Sequence, residues 1–300
     1  MYWLIIIILA YLFFSFSFFG DKLVLSGPPN PKLYTFYVGT LNILVIFLIP
    51  FTKLGSYNAT GLMWAMLTAI VSILGLYTMF SALEKFEVSR VMSTIGALQP
   101  ILILIFVGIF WGFEAVTSMN FVAFIMLFVG SVAISVKKRL ALTIHYLVLT
   151  MSSSIMFSLA YVFSKFVFLN QTFLPGLVLI SVSTFLLALT LLTDKRLRNQ
   201  IFAKKQPMDR KTGTIFLFSQ SAGGTANILQ SLAIYLAPVS SLAVINALRG
   251  VQYVFLFIIT LCCSFFFPQI LKEDISKEII IQKMASILLI VLGLAILVIY

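Results

Sequence analysis

Charge is scarce in this chain, and acid is scarcer than base. Only 10% of the 300 residues are charged, with 9 Asp and Glu against 20 Lys and Arg. The acids are Asp21, Glu84, Glu87, Glu114, Asp194, Asp209, Glu273, Asp274 and Glu278, and each falls at or beyond the end of an apolar run. A membrane-buried carboxylate that could trade a proton for a cation is therefore missing, which argues against the small proton-driven multidrug mechanism. His145 is the only histidine, and Cys262 and Cys263 adjoin inside an apolar run. One imidazole cannot assemble a metal site, and no paired carboxylates stand ready for intramembrane chemistry. No metal, no cofactor, no catalytic residue and no enzymatic activity are expected. A cleavable leader is also absent from the reading. Met1 runs straight into YWLIIIILAYLFF, with neither a basic start nor a small-residue cleavage site.

What fills the chain instead is hydrocarbon, with 61% of its residues hydrophobic. A soluble domain of that composition could not cover its apolar side chains, so the solvent must be lipid. Crossing a bilayer core of about 30 Å takes roughly 20 apolar residues as a helix. The runs are too long and unbroken for barrel strands. Ten segments can be drawn, at about 3–21, 33–51, 60–83, 89–111, 117–136, 142–166, 173–193, 213–236, 240–266 and 281–300. Charged loops are expected at 194–212 and 267–280, and turns at Gly27-Pro28-Pro29-Asn30-Pro31 and Pro175. The expected fold is an all-α polytopic membrane protein of ten transmembrane helices, with the lipid bilayer as partner.

The net charge of +11 has a bland source in this setting. Lys and Arg collect in loops on the cytoplasmic side, so no nucleic-acid partner is expected. Taking alternate connections from the one after helix 1, all 20 bases fall on one side except Lys53, Lys165 and Arg249. That side includes Lys22, Lys85, the Lys137-Lys138-Arg139 run and the seven bases between Lys195 and Lys211. The rule then places both termini outside the cytoplasm. The plasma (inner) membrane of a prokaryote is the expected location and a monomer the expected state.

The two halves read as copies. Ser15, Lys22 and Val24 match Ser158, Lys165 and Val167 at one offset; Ala82 and Ser89 match Ala233 and Ser240 at a larger one. The division is 1–139 for the first five-helix repeat and 140–300 for the second. An odd number of helices per repeat makes the halves inverted relative to each other. Inverted repeats around a midplane site are the build of many secondary transporters.

At these residues the chain resembles a known family, the EamA-type ten-helix members of the drug/metabolite transporter superfamily. The resemblance rests on a Lys late in the first helix of each repeat (Lys22, Lys165). It rests also on the approach to each fourth helix, Ala82-Leu83-Glu84-Lys85-Phe86-Glu87-Val88-Ser89 leading to Gln99-Pro100, and Ala233-Ile234-Tyr235-Leu236-Ala237-Pro238-Val239-Ser240 leading to Arg249. Gly112-Phe113-Glu114 is a loose match to a third feature. The second copy departs from the pattern, replacing the Pro with Arg249-Gly250-Val251-Gln252. The resemblance implies a central cavity lined by helices 3, 4, 8 and 9, which favours Trp64, Gln99, Asn227 and Arg249.

Arg249 is the one charge deep within an apolar run. An ionised side chain at that depth is costly unless it meets water or a partner. Asn246, Arg249 and Tyr253 fall on one helical stripe, and a guanidinium beside an amide and a phenol suits a carboxylate or phosphate. The alternative is a structural arginine satisfied by carbonyls of a neighbouring helix. Polar stripes also run along helix 6 (Ser154, Ser158, Tyr161, Lys165), helix 8 (Gln220, Asn227), helix 3 (Trp64, Thr68, Ser72, Gly75) and helix 4 (Ser93, Gly96, Pro100). The expected function is secondary transport of a small polar metabolite, an amino acid or other carboxylate-bearing solute, by alternating access. Arg249 would hold the anionic group, with Asn246, Tyr253, Asn227 and Gln99 around it and Trp64 and Tyr161 against the remainder. Lys165, near a helix end, is expected to anchor. Three other readings stay open: a lipid-linked sugar flippase, a quaternary-amine or drug exporter, and a membrane scaffold.

Overall fold

The computed structural model describes residues 2–24, 30–51, 57–86, 88–113, 118–135, 143–202, 210–266 and 277–299. Among these residues every regular element is helical and none is a strand. The helices are α1 (Tyr2–Val24), α2 (Pro31–Leu41), α3 (Ala59–Lys85), α4 (Val88–Trp111), α5 (Ser118–Ser135), α6 (Ile144–Asn170), α7 (Phe173–Thr190), α8 (Lys195–Phe202), α9 (Arg210–Leu236), α10 (Leu242–Ala247), α11 (Arg249–Phe266) and α12 (Lys277–Ile299). Among the described residues, seven stretches are long and apolar enough to cross a membrane. They are Tyr2–Gly20, Pro31–Phe51, Ala59–Lys85, Thr94–Trp111, Ile144–Asn170, Phe173–Thr193 and Val239–Ile259. Large apolar side chains such as Ile5, Phe47, Phe51 and Met66 remain exposed on these stretches, as do Leu217 and Phe218 on α9. Such exposure is consistent with an all-α membrane protein.

Helix starts follow from local chemistry. Asn30 caps α2 through Leu33 N–H, and Pro31 takes the first helical position, where a missing donor costs nothing. Asn58 caps α3 through Gly61 N–H at 2.6 Å. Its amide nitrogen donates to Asn170 O at 2.8 Å, and its oxygen also accepts from Gln171 Nε2, so the start of α3 is fastened to the end of α6.

Three details differ from the sequence reading. Pro175 lies within the first turn of α7, where its lost N–H had no helical partner to lose. Pro100 sits inside an unbroken α4, within the segment drawn at 89–111. The connection expected as a charged loop from 194 carries α8, too short and polar to read as a span. The second half of the second span, Asn42–Phe51, is a 3₁₀-helix continuing from α2.

The chain forms two compact units. One holds residues 1–26, 111–137 and 207–300; the other holds 27–110 and 138–206. Each unit therefore draws helices from both halves of the sequence. In the first, α1 runs along α9 and meets α11, while α5 lies against α12. Small residues allow that approach: Ser219 Oγ donates to Ser17 O at 2.9 Å, and a Cβ added at Gly20 would sit 2.9 Å from Ser219 Cβ. In the second unit, α3 runs along α6 and α7, and α2 leans on α3 and α7. Ala82, Val91, Ile95 and Tyr146 join α3, α4 and α6 in a buried cluster, with Tyr146 bonded to Thr94.

Candidate functional site

The first unit contains a broken helix. The run that the sequence offers as one helix from 240 to 266 begins as a 3₁₀ turn at Val239–Ser241, continues as α10, turns at Leu248 and restarts as α11. Arg249 is thus the opening residue of α11 rather than a position ten residues into a continuous span. Val251 N–H bonds Leu248 O at 2.9 Å, the tighter 3₁₀ spacing, across the turn. An unbroken α-helix would give the Ile245 carbonyl to the amide of residue 249. Here that carbonyl accepts the Tyr11 hydroxyl at 2.7 Å.

Tyr11 is fully buried, and its phenol organises the break. Besides donating to Ile245 O, the Tyr11 hydroxyl is within hydrogen-bonding reach of the Arg249 guanidinium and the Gln230 side chain. Tyr253 lies close enough to interact electrostatically with both Tyr11 and Arg249. One turn further along α1, Ser15 Oγ donates to Tyr11 O at 2.7 Å and to Gln252 O at 2.9 Å. Helix α1 therefore holds the chain on both sides of Leu248.

Asn246, on α10, is fully buried, and neither its amide nitrogen nor its oxygen has a hydrogen-bond partner among the described residues. A buried amide without partners costs on the order of 1–3 kcal/mol unless something supplies them. The arrangement is cationic in two ways. The Arg249 side chain is there, and the start of α11 contributes the positive end of its dipole. Phenols and amides are what surround it: Tyr11, Tyr253, Gln230 and, a turn before, Asn246. Such a set can hold a carboxylate or phosphate by charge and by donated hydrogen bonds.

The structure brings together Arg249 and Tyr253, and adds Tyr11 and Gln230, which sequence reasoning missed. Asn227, on α9, is exposed. Gln99, Trp64 and Tyr161 belong to the other unit. There Trp64 stacks on Phe166 with centroids 4.3 Å apart and lies 5.4 Å from Phe163, so its indole is part of an aromatic cluster with Phe110. Gln99 is buried, and its backbone carbonyl accepts Ser158 Oγ at 3.3 Å. Tyr161 is half-buried on α6, one turn beyond Ser158. Lys165 is buried, five residues before the end of α6, because that helix runs on to Asn170. The helix-end anchoring role expected for it does not match that place. The Lys22, Ser89 and Ser93 side chains and residue Glu114 lie outside the described residues.

No family model and no curated protein matches the chain. A solved crystal structure of a protein aligns with it over 97% of this chain and 94% of its own, with a TM-score of 0.69 and 16% sequence identity. At that identity the likeness speaks for the fold, which a crystallised protein shares along nearly its whole length.

Proposed function

We propose that this chain is a secondary transporter of the EamA type in the drug/metabolite transporter superfamily, moving a small carboxylate-bearing metabolite across the membrane. In this reading the ten sequence segments are two inverted five-helix repeats, and the protein sits in the plasma (inner) membrane of a prokaryote with both termini non-cytoplasmic. The observation that carries it is Arg249 at the start of a helix interrupted within an apolar span, surrounded by phenols and amides. Discontinuous helices whose N-terminal ends face anionic groups are a recurring device in transporters. A contact made by each of the matched serines also supports the repeat reading. Ser15 on α1 bonds a carbonyl of α11, and Ser158 on α6 bonds a carbonyl of α4.

The test is a thermal-unfolding screen of the purified protein in detergent against amino acids, organic anions, sugar phosphates and quaternary amines. A ligand that binds only the folded state raises the midpoint with its saturation. Anions or zwitterions should stabilise the wild type and fail to stabilise Arg249→Gln. Stabilisation by quaternary amines alone, or equal stabilisation of both proteins by anions, would sink the reading.

A further inference from the structure

The most strongly charged described surface is in the second unit. The apolar stretch Phe173–Thr193 ends one residue before Asp194, and α8 follows at once. Leu197 is buried, and Ile201, four residues on, shares its face; α8 packs against α2. Lys195, Arg196 and Arg198 are left exposed.

These three bases have no carboxylate partner among the described residues. The one acid beside them is fully used. Asp194 caps α8 by accepting Arg196 N–H at 2.9 Å, and its other oxygen holds Lys32. Moreover, Lys195 and Arg196 occupy the first turn of α8, the end of a helix where the dipole disfavours cations. Their charge works against α8 itself, which points to a use outside the helix.

Between α8 and the start of α2 lies a half-open cavity of about 230 Å³, lined by Asn30, Lys32, Asp194, Arg196, Leu197 and Gln200. Asn30 Nδ2 donates to Gln200 Oε1 at 3.2 Å, which leaves the Gln200 amide nitrogen as a donor in the wall. The cavity sits where one apolar stretch ends at Thr193 and another begins at Pro31. That is the level at which lipid headgroups meet a transmembrane protein.

We propose that the basic face of α8 and the cavity beside it bind the phosphate-bearing headgroup of an anionic membrane lipid. Arg196 contacts the phosphate at the mouth of the cavity, with Lys195 and Arg198 adding charge along the helix. The lipid source follows from the site's place at the end of two apolar stretches and from charge complementarity with an anionic leaflet. Asp194 tempers the site by pairing with Lys32, which lines the same cavity.

The experiment measures binding of short-chain phosphatidylglycerol to the full-length protein in detergent, with phosphatidylcholine and inorganic phosphate as comparison probes. Saturable binding of phosphatidylglycerol is expected, weak binding of phosphatidylcholine, and loss of the difference in 1 M salt. The triple variant Lys195→Gln/Arg196→Gln/Arg198→Gln should weaken phosphatidylglycerol binding by about tenfold or more. A charge-matched control, Lys137→Gln/Lys138→Gln/Arg139→Gln, should leave it unchanged. Should the triple variant unfold, Arg196→Gln alone carries the test, with a loss of several-fold. Asp194→Asn should tighten binding, because it frees Lys32. Equal loss in the site and control variants would overturn the proposal in favour of diffuse attraction. Binding of inorganic phosphate as tight as that of the lipid would overturn the lipid assignment.

Discussion

Ser15 on α1 donates its hydroxyl to the backbone carbonyl of Gln252 on α11 at 2.9 Å, across 237 residues of sequence. Ser158 does the same to Gln99 at 3.3 Å. Each bond borrows a carbonyl already inside a helix, so its net worth is that of an ordinary buried hydrogen bond, about 1 kcal/mol. Ser15→Ala and Ser158→Ala should each lower the unfolding free energy by that amount. The two losses should add, since the sites share no partners. Thermal midpoints in detergent measure both. A cost several times larger at one serine than at the other would show that the two contacts are not equivalent.

Tyr11→Phe keeps the ring and removes the hydroxyl shared by Ile245, Arg249 and Gln230. A loss of roughly 1–3 kcal/mol is expected, because three groups lose a partner, the fully buried Ile245 carbonyl among them. The variant should also weaken stabilisation by carboxylates, since Arg249 would no longer be held. An unchanged anion response would confine Tyr11 to a packing role.

Gly39 lies where α2 crosses α7. A Cβ there would stand 2.5 Å from Ala188 Cβ and 3.0 Å from Ile73 Cδ1. Gly39→Ala should destabilise by about 1–3 kcal/mol through overpacking. Ala188→Gly in the same chain should recover much of that loss. A Gly39→Ala protein as stable as wild type would show that the crossing is looser than described.

The Lys32–Asp194 pair gives a pH dependence of definite sign. The hydrogen bond from Lys32, followed by backbone donors, lowers the Asp194 carboxyl below its ordinary 3.8. A carboxyl lowered in the folded state contributes stability above its unfolded pKa and loses it as pH falls through the folded value. The pair is exposed, so the effect on global stability is small. It should instead be visible locally. Exchange of α8 amides, corrected for intrinsic rate, should accelerate below about pH 4, and in Asp194→Asn at neutral pH. Protection independent of both changes would show that Leu197 alone holds α8.

Helix identity was legible in this sequence because run length and composition suffice for it: an apolar stretch of some twenty residues has few other structures to adopt. Asn30, Asn58 and Thr143 cap α2, α3 and α6 through their own side chains, a local signal that the sequence reading did not use. Partnership was not legible. Tyr11 meets Ile245 across 234 residues, and nothing in an apolar stripe on α1 says which helix will face it. The break at Leu248 was hidden as well, since leucine is a good helix former and Gly250 stands two residues beyond. The available signal was Arg249 itself, a charge whose cost in an apolar run calls for an irregular or polar surrounding. Helix α8 escaped notice because eight residues with three bases fall below any span criterion. Its buried Leu197 is apparent only once α2 is in place.

The 3₁₀ run Asn42–Phe51 changes what the second span can do mechanically. A 3₁₀-helix rises about 2.0 Å per residue against 1.5 Å for an α-helix. Ten residues wound this way reach about 5 Å further than the same ten in α form. The reach of the segment therefore depends on its winding as well as on its residue count. Rewinding it to α would draw Phe51 toward α2 by most of one helical turn, a stroke comparable to the spread in hydrocarbon thickness among natural bilayers.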